Sequence, residues 1–198
     1  MVSLKKLILG SSSPRRQELL KSLNIPFTVR TPNFDESTLT LTNPLQKAEQ
    51  LAKLKAQNVS LQSADEIILA ADTIVAYNGT IFEKPVDQRD AYHMISKLNG
   101  TKHDVITAVA LRSSDKETVF SVKTEVYFWE LTEAEIDAYI ATTEPYDKAG
   151  AYGIQGKAGL FVKEIKGDYF NVVGLPVSYV VRELRRFNFD VDMYVHSE

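Results

Sequence analysis

Ile67–Ile68–Leu69–Ala70–Ala71–Asp72 is the stretch that decides the fold class of this chain. Its apolar run shows neither the alternation of a half-buried strand nor the spacing of a helix face, and it reads as a strand buried on both sides. Strands of that kind belong to sheets covered by helices. An acidic residue follows at once. Open α/β sheets place ligands outside the carboxyl ends of their strands, so Asp72 is a candidate to hold a divalent ion or act as a base. The bland alternative is an aspartate that turns the chain before Thr73, and the local pattern favours neither.

Downstream, Ile74–Tyr77 and Ile81–Phe82 flank Asn78–Gly79 and predict a hairpin. A helix is expected from Asp87 to Leu98, closed by Asn99–Gly100. Val105–Leu111 and Thr118–Phe128 are long strand candidates joined by the charged link Ser113 to Glu117. Thr132 with Glu135 forms a capping-box pattern for a helix ending near Thr142. Leu160–Ile165 and Tyr169–Val173 flank a Lys166–Gly167–Asp168 turn, and Pro176 opens a last helix to about Phe187.

Upstream, Leu7–Leu9 is a short buried strand. Ser13 and Pro14 start a helix to about Leu23, with serine at the N-cap and proline at the first helical position. Ile25–Val29 reads as a strand, and Pro44 to about Asn58 as a helix. Helices mixed with strands of both kinds indicate α/β or α+β packing. No repeat or low-complexity linker divides the chain. Residues 1–187 are expected to form one domain, although the middle hairpins could build a second lobe. Residues 188–198 form a tail whose alternating Phe189, Val191, Met193 and Val195 suit an edge strand or a loose terminus.

The 198 residues suffice to bury a core without staples, and 44% of them are hydrophobic and 25% charged, as in ordinary soluble domains. A net charge of −3 argues against a duplex-binding protein without excluding a local anion site. The chain has no cysteine, which removes thiolate metal sites and cysteine nucleophiles. Neither a signal-peptide core nor a membrane span is present in the sequence, and a cytoplasmic protein is expected.

Other residues carry chemical promise. Ser11–Ser12–Ser13–Pro14–Arg15–Arg16 combines hydroxyls, a helix N-terminus and paired guanidinium groups, a setting that favours an anion. A capped helix with two solvated arginines is the equally weighted alternative. Asp35–Glu36 lies in a polar loop and gains meaning only if the fold brings it to Asp72. Two or three carboxylates near a triphosphate would suit Mg²⁺. Lys55 and Lys84 could neutralise phosphate charge, although most lysines are surface groups. The glycine-rich run Pro145 to Gly156 permits close approach of backbone to a ligand, yet locally a ligand-free turn is the better reading. Within it Gln155 offers both a donor and an acceptor, as recognition of a base edge requires. His93, His103 and His196 form no metal-binding pattern. No Walker A, dinucleotide or G-x-S-x-G signature occurs.

Taken in order, Ser11 to Leu20, Ala71–Asp72–Thr73, Glu83–Lys84–Pro85, Thr107–Ala108–Val109, Asp147 to Gly156 and Gly174–Leu175–Pro176 resemble the Maf family of nucleotide pyrophosphatases, the septum-formation-inhibitor proteins. The resemblance runs from about Leu7 to Phe187 and is strongest to the branch specific for dTTP and UTP. It implies an α/β fold with a curved mixed sheet flanked by helices. Two lobes with a central cleft are implied as well, similar to inosine-triphosphate pyrophosphatases. It implies metal-dependent hydrolysis of dTTP and UTP to the monophosphate and pyrophosphate, with Mg²⁺ or Mn²⁺, by a homodimer that binds neither nucleic acid nor membrane. By the same resemblance Asp72, Lys84 and Lys55 are catalytic. Ser11, Arg15, Arg16, Thr73 and Gln155 bind substrate, with Arg15, Thr73 and Gln155 marking base preference. Glu36 and Asp72 hold metal. Asp35 stands where many relatives carry glutamate, so only Glu36 of that pair is expected at the ion. The alternatives are housecleaning of modified pyrimidine nucleotides and, in another class, a nucleotide-binding regulator of cell division.

Overall fold

The structure is a computed structural model that describes residues 4–36 and 39–192. In chain order its elements are β1 (Lys6–Leu9), α1 (Pro14–Ser22), β2 (Thr28–Val29), α2 (Pro44–Gln57), β3 (Glu66–Tyr77), β4 (Thr80–Phe82), α3 (Gln88–Leu98), β5 (Lys102–Arg112), β6 (Glu117–Phe128), α4 (Glu133–Ile140), β7 (Val162–Lys166), α5 (Tyr169–Val173) and α6 (Val177–Arg186). The strands form one mixed sheet in the order β2-β1-β3-β5-β6-β7, with β4 also on β3. β1 is parallel to β2 and β3, and the other pairs are antiparallel. This is an α/β fold with helices on both faces. Among the described residues no helix is long and apolar enough to cross a membrane.

Successive strand residues point to opposite faces, and that alternation divides the core. From β3 and β5, Ile68, Ala70, Ile74, Ile106, Ala108 and Ala110 pack on one face with Ala48, Ala52 and Ala56 of α2. The small alanines on both sides let α2 lie close to the sheet. On the other face, Ile67, Leu69, Ala71, Val109 and Leu111 pack under α1 and α6. Further along that face, Val75, Val105, Val126 and Phe128 pack under α3 and α4. That face therefore carries two apolar clusters. Between them lie Thr73 of β3 and Thr107 of β5, directly opposite each other in register, and Thr124 of β6, which is opposite Val105 and joins the seam through Asn171.

Four sequence expectations change. Asp72 does not end a strand: β3 runs unbroken through it, paired in register with Ala108. The aspartate is tolerated there because a lysine from α2 meets it. The second strand, expected from Ile25, is only Thr28–Val29. Tyr169–Val173 is a short helix, capped by the Asp168 side chain on Asn171 N. Ser13 occupies the N-cap of α1 but makes no capping bond. In the tail, Phe189 and Val191 are buried against the α1 and α6 cluster, and Met193 and Val195 lie outside the described residues.

Candidate active site

The sheet is interrupted where β1 stops and β4 has not yet begun. β1 pairs with β3 up to Leu9↔Leu69, and β4 pairs from Val75↔Phe82. Ala70–Ile74 thus have β5 on one side and no strand on the other. A cavity of about 750 Å³ opens along this bare edge and reaches round to both faces of β3. Its walls are the Ser11–Arg16 turn, the Lys47–Leu51–Lys55 stripe of α2, the β4 end and the Lys148–Gly156 segment. Six cationic and four acidic side chains line it, a positive excess in a chain of net charge −3. Such a concentration of cations in a cleft draws anions.

On the α2 face, Lys55 Nζ lies 2.5 Å from Asp72 Oδ1 and 3.0 Å from Glu36 Oε1. The side chains of Lys55 and Asp72 are each only 12% exposed, so this pair is largely shielded from water. Burial pushes the Asp72 carboxyl above its ordinary range, while Lys55 and Arg16 pull it back and Glu36 adds to the rise. Asp72 Oδ2 makes no hydrogen bond among the described residues. Two carboxylates converging on one cation are the hard oxygen donors that Mg²⁺ or Mn²⁺ takes. Among the described residues there is no cluster of three acidic or imidazole groups. The pair therefore fits an ion that arrives with phosphate rather than one held in an all-protein cage.

On the other face, Arg16 is fixed by three bonds. Its Nε donates to Gly174 O at 2.8 Å, Nη1 to Ser11 Oγ at 3.2 Å and Nη2 to Thr73 Oγ1 at 3.2 Å. A guanidinium carries five N–H groups, so one on each terminal nitrogen is left for a ligand. Burial holds the Arg16 pKa below its ordinary value. Pro14 has no N–H and Ser13 leaves the first turn of α1 uncapped, whereas Asn43, Asp87, Thr132 and Asp168 cap α2, α3, α4 and α5. Arg15 and Arg16, whose amides belong to this uncapped first turn, both line the cavity. Arg15 lies at the rim, 3.1 Å from Asp147 Oδ2.

The nine residues singled out in the sequence, Ser11, Arg15, Arg16, Glu36, Lys55, Asp72, Thr73, Lys84 and Gln155, all line this one cavity. Lys84 and Gln155 are exposed and have no hydrogen-bond partner among the described residues. The glycine-rich segment owes its composition to internal packing. A Cβ on Gly150, at φ +68°, would lie 2.8 Å from Val75, and one on Gly156 would overlap Glu144. Glu144 in turn accepts from Lys157 N and Ala158 N.

A family model described as Maf-like protein matches residues 6–187. This chain belongs to the Maf family. A Bacillus cereus (strain ATCC 10987 / NRS 248) protein named dTTP/UTP pyrophosphatase is 49% identical over 189 residues, 96% of this chain and 93% of that protein. A Bacillus anthracis protein of the same name is 48% identical over 188 residues, 95% of this chain and 98% of its own. Among solved structures, a HAM1 protein from Coxiella burnetii matches with a TM-score of 0.48 at 10% identity, over 92% of this chain and 100% of that one.

Sequence reasoning assigned no role to several cavity or supporting residues of this Maf chain. Lys47 faces the cavity and pairs with Glu83 at 2.5 Å. Its position eight residues before Lys55 places it on the same helix stripe, a signal the sequence did carry. Asn171 is fully buried, and its side chain accepts from Thr107 N at 3.0 Å and donates to Val105 O and Thr124 Oγ1, each at 3.0 Å. A single asparagine in a mostly apolar stretch was the available hint.

Proposed function

We propose that the chain hydrolyses dTTP and UTP between the α- and β-phosphates, yielding the nucleoside monophosphate and pyrophosphate. The observation that carries this reading is one cavity with two opposed halves. One half is a lysine-bridged carboxylate pair, and the other is an uncapped helix N-terminus with a fixed arginine. The first is suited to orient water, and the second to bind phosphate. The names of the close relatives support the choice of substrates.

In this mechanism water attacks the α-phosphorus, the bond to the bridging oxygen breaks and pyrophosphate departs. Asp72 orients the water and takes its proton, for which a raised carboxyl pKa is better matched than an ordinary one. Lys55 fixes Asp72 Oδ1 and leaves Oδ2 for the water. Arg15, Arg16 and Lys84 offset charge on the phosphates. Asp72 and Glu36 would hold a divalent cation, which supplies polarisation of the phosphoryl oxygens when bound. Gln155 reads the base edge. The enzyme is read as a cytoplasmic homodimer, which sedimentation in solution tests.

The deciding experiment is a panel of dTTP, UTP, CTP, GTP and 5-modified pyrimidine triphosphates, with Mg²⁺ and with Mn²⁺ and with products identified. Monophosphate plus pyrophosphate from dTTP and UTP is expected. Release of orthophosphate, or no hydrolysis at all, would overturn the reading.

A further inference from the structure

The polar seam between the two clusters has a direction. Asn171 O is a carbonyl and only accepts, so Thr107 Oγ1 donates its single hydrogen there, at 2.9 Å. Thr107 Oγ1 is also 2.9 Å from Thr73 Oγ1. With the Thr107 hydrogen already committed, Thr73 must donate in that bond. Arg16 Nη2 then donates to Thr73 Oγ1. Thr107 and Asn171 are both fully buried, which denies them water as an alternative partner. Every bond from Arg16 through Thr73 and Thr107 to Asn171 is thereby oriented one way. Thr73 lines the cavity with its hydrogen turned into the protein, and it offers a ligand only a lone pair.

We propose that Thr107 and Asn171 are positioning residues that set base choice, because they make Thr73 an obligate hydrogen-bond acceptor. This rests on the reading of the cavity as a pyrimidine nucleotide site with the base at Thr73. An obligate acceptor takes a ring N–H, which uracil and thymine have at N3. It repels cytosine, whose N3 is itself an acceptor. A site built around a hydrogen bond discriminates strongly against a ligand that leaves a buried polar group unpaired. A threonine with a free hydroxyl would rotate and serve either base. Selectivity therefore comes from residues on β5 and α5 that touch no substrate.

The test is Thr107→Val, which keeps the shape and removes the acceptor of the Thr73 hydrogen. The fold tolerates it, because Asn171 O keeps its bond from Gly174 N at 3.1 Å. Thr107→Ala removes the same hydroxyl with less bulk and serves if the valine protein does not fold. Thr107→Ser restores the relay. The ratio of kcat/KM for UTP to that for CTP should fall about tenfold in the valine and alanine proteins and stay near the native value in the serine protein. A lesion of packing alone would lower both rates and leave the ratio in place, and that outcome overturns the relay. Affinities for UMP and CMP, measured by calorimetry on the same proteins, separate this inference from the reaction. If the native protein prefers UMP and Thr107→Val loses that preference, the relay holds even where no triphosphate is cleaved. If UMP is preferred equally by both, it does not.

Discussion

Asp72 and Thr73 are neighbours in β3 and face opposite sides of the sheet, and the two sides handle polarity differently. The Asp72 side is ionic, with Lys55 between two carboxylates and Asp72 raised by burial. On the Thr73 side the one charge is the Arg16 guanidinium at the cavity, and behind Thr73 runs a neutral series of hydroxyl and amide groups in which each donor has an acceptor. His103 lies on that same face of β5, two residues in sequence from Val105, and donates to or accepts from Tyr152 Oη at 2.7 Å. Burial alone pushes its imidazole down to about 3, so it too is uncharged. Charge is kept at the cavity, and only neutral groups continue from Thr73 into the core, at Thr107, Asn171 and His103. A buried charge costs far more than a satisfied hydroxyl, which is why the division follows exposure.

The sharpest way to break the comparison is at Asp72. Asp72→Asn keeps size and removes charge, so kcat at saturating UTP should fall about 10²-fold or more while the fold survives. Native-like turnover in the purified variant would mean that the ionic side is structural. On the neutral side, Asn171→Leu strands Thr107 N in the core. Urea unfolding should show a loss of roughly 1–3 kcal/mol for that unsatisfied group. A loss near zero would show that water enters the seam.

His103 sharpens the contrast through pH. The unfolded chain binds a proton on this histidine near the ordinary 6.5, and the folded chain resists until about 3. Stability from His103 is therefore complete above pH 6.5 and declines as pH falls through that window, by up to about 1.4 kcal/mol per pH unit. His103→Phe should lose less stability than the native protein between pH 7 and pH 5, and parallel urea midpoints in the two would contradict this. Lastly, Lys55 pulls the Asp72 carboxyl down against its burial. In Lys55→Met the acid limb of the residual kcat/KM profile should move to higher pH, and the UTP to CTP ratio should stay unchanged, because Lys55 acts on one side only.

Much of this division was legible in the residues. The unbroken run before Asp72 announced a doubly buried strand, and the capping patterns at Asp87–Leu98 and Thr132–Glu135 placed two helices. The nine candidate residues could be named, five of them (Glu36, Lys55, Thr73, Lys84 and Gln155) with weak or no local support, because resemblance to a family ordered them. The length of β3 was not legible. An aspartate inside a strand looks like a terminator until its lysine partner, 17 residues earlier, is known. The seam was hidden for a related reason. Thr73, Thr107 and Thr124 are ordinary strand residues one at a time; only the β3–β5 register sets Thr73 opposite Thr107, and only the buried Asn171 side chain ties Thr107 to Thr124. In the sequence Tyr169–Val173 is only the segment after a turn, and it is the aspartate cap at Asp168 and Gly174 at φ +123° that make these five residues a helix.

The bare edge of β3 has a kinetic consequence. β5 and β6 are joined through a short link and can pair early, whereas Leu7↔Ile67 must close a loop of 60 residues before β1 docks. The cavity exists only once β1 has delivered the Ser11–Arg16 turn to that edge, so it is completed late on the way to the native state. A nucleotide that bridges this turn and the α2 wall then stabilises contacts absent from the folding transition state. In stopped-flow experiments, UMP should slow unfolding in proportion to its saturation and leave the refolding limb where it was. An accelerated refolding limb would place assembly of the β1 edge before the rate-limiting step.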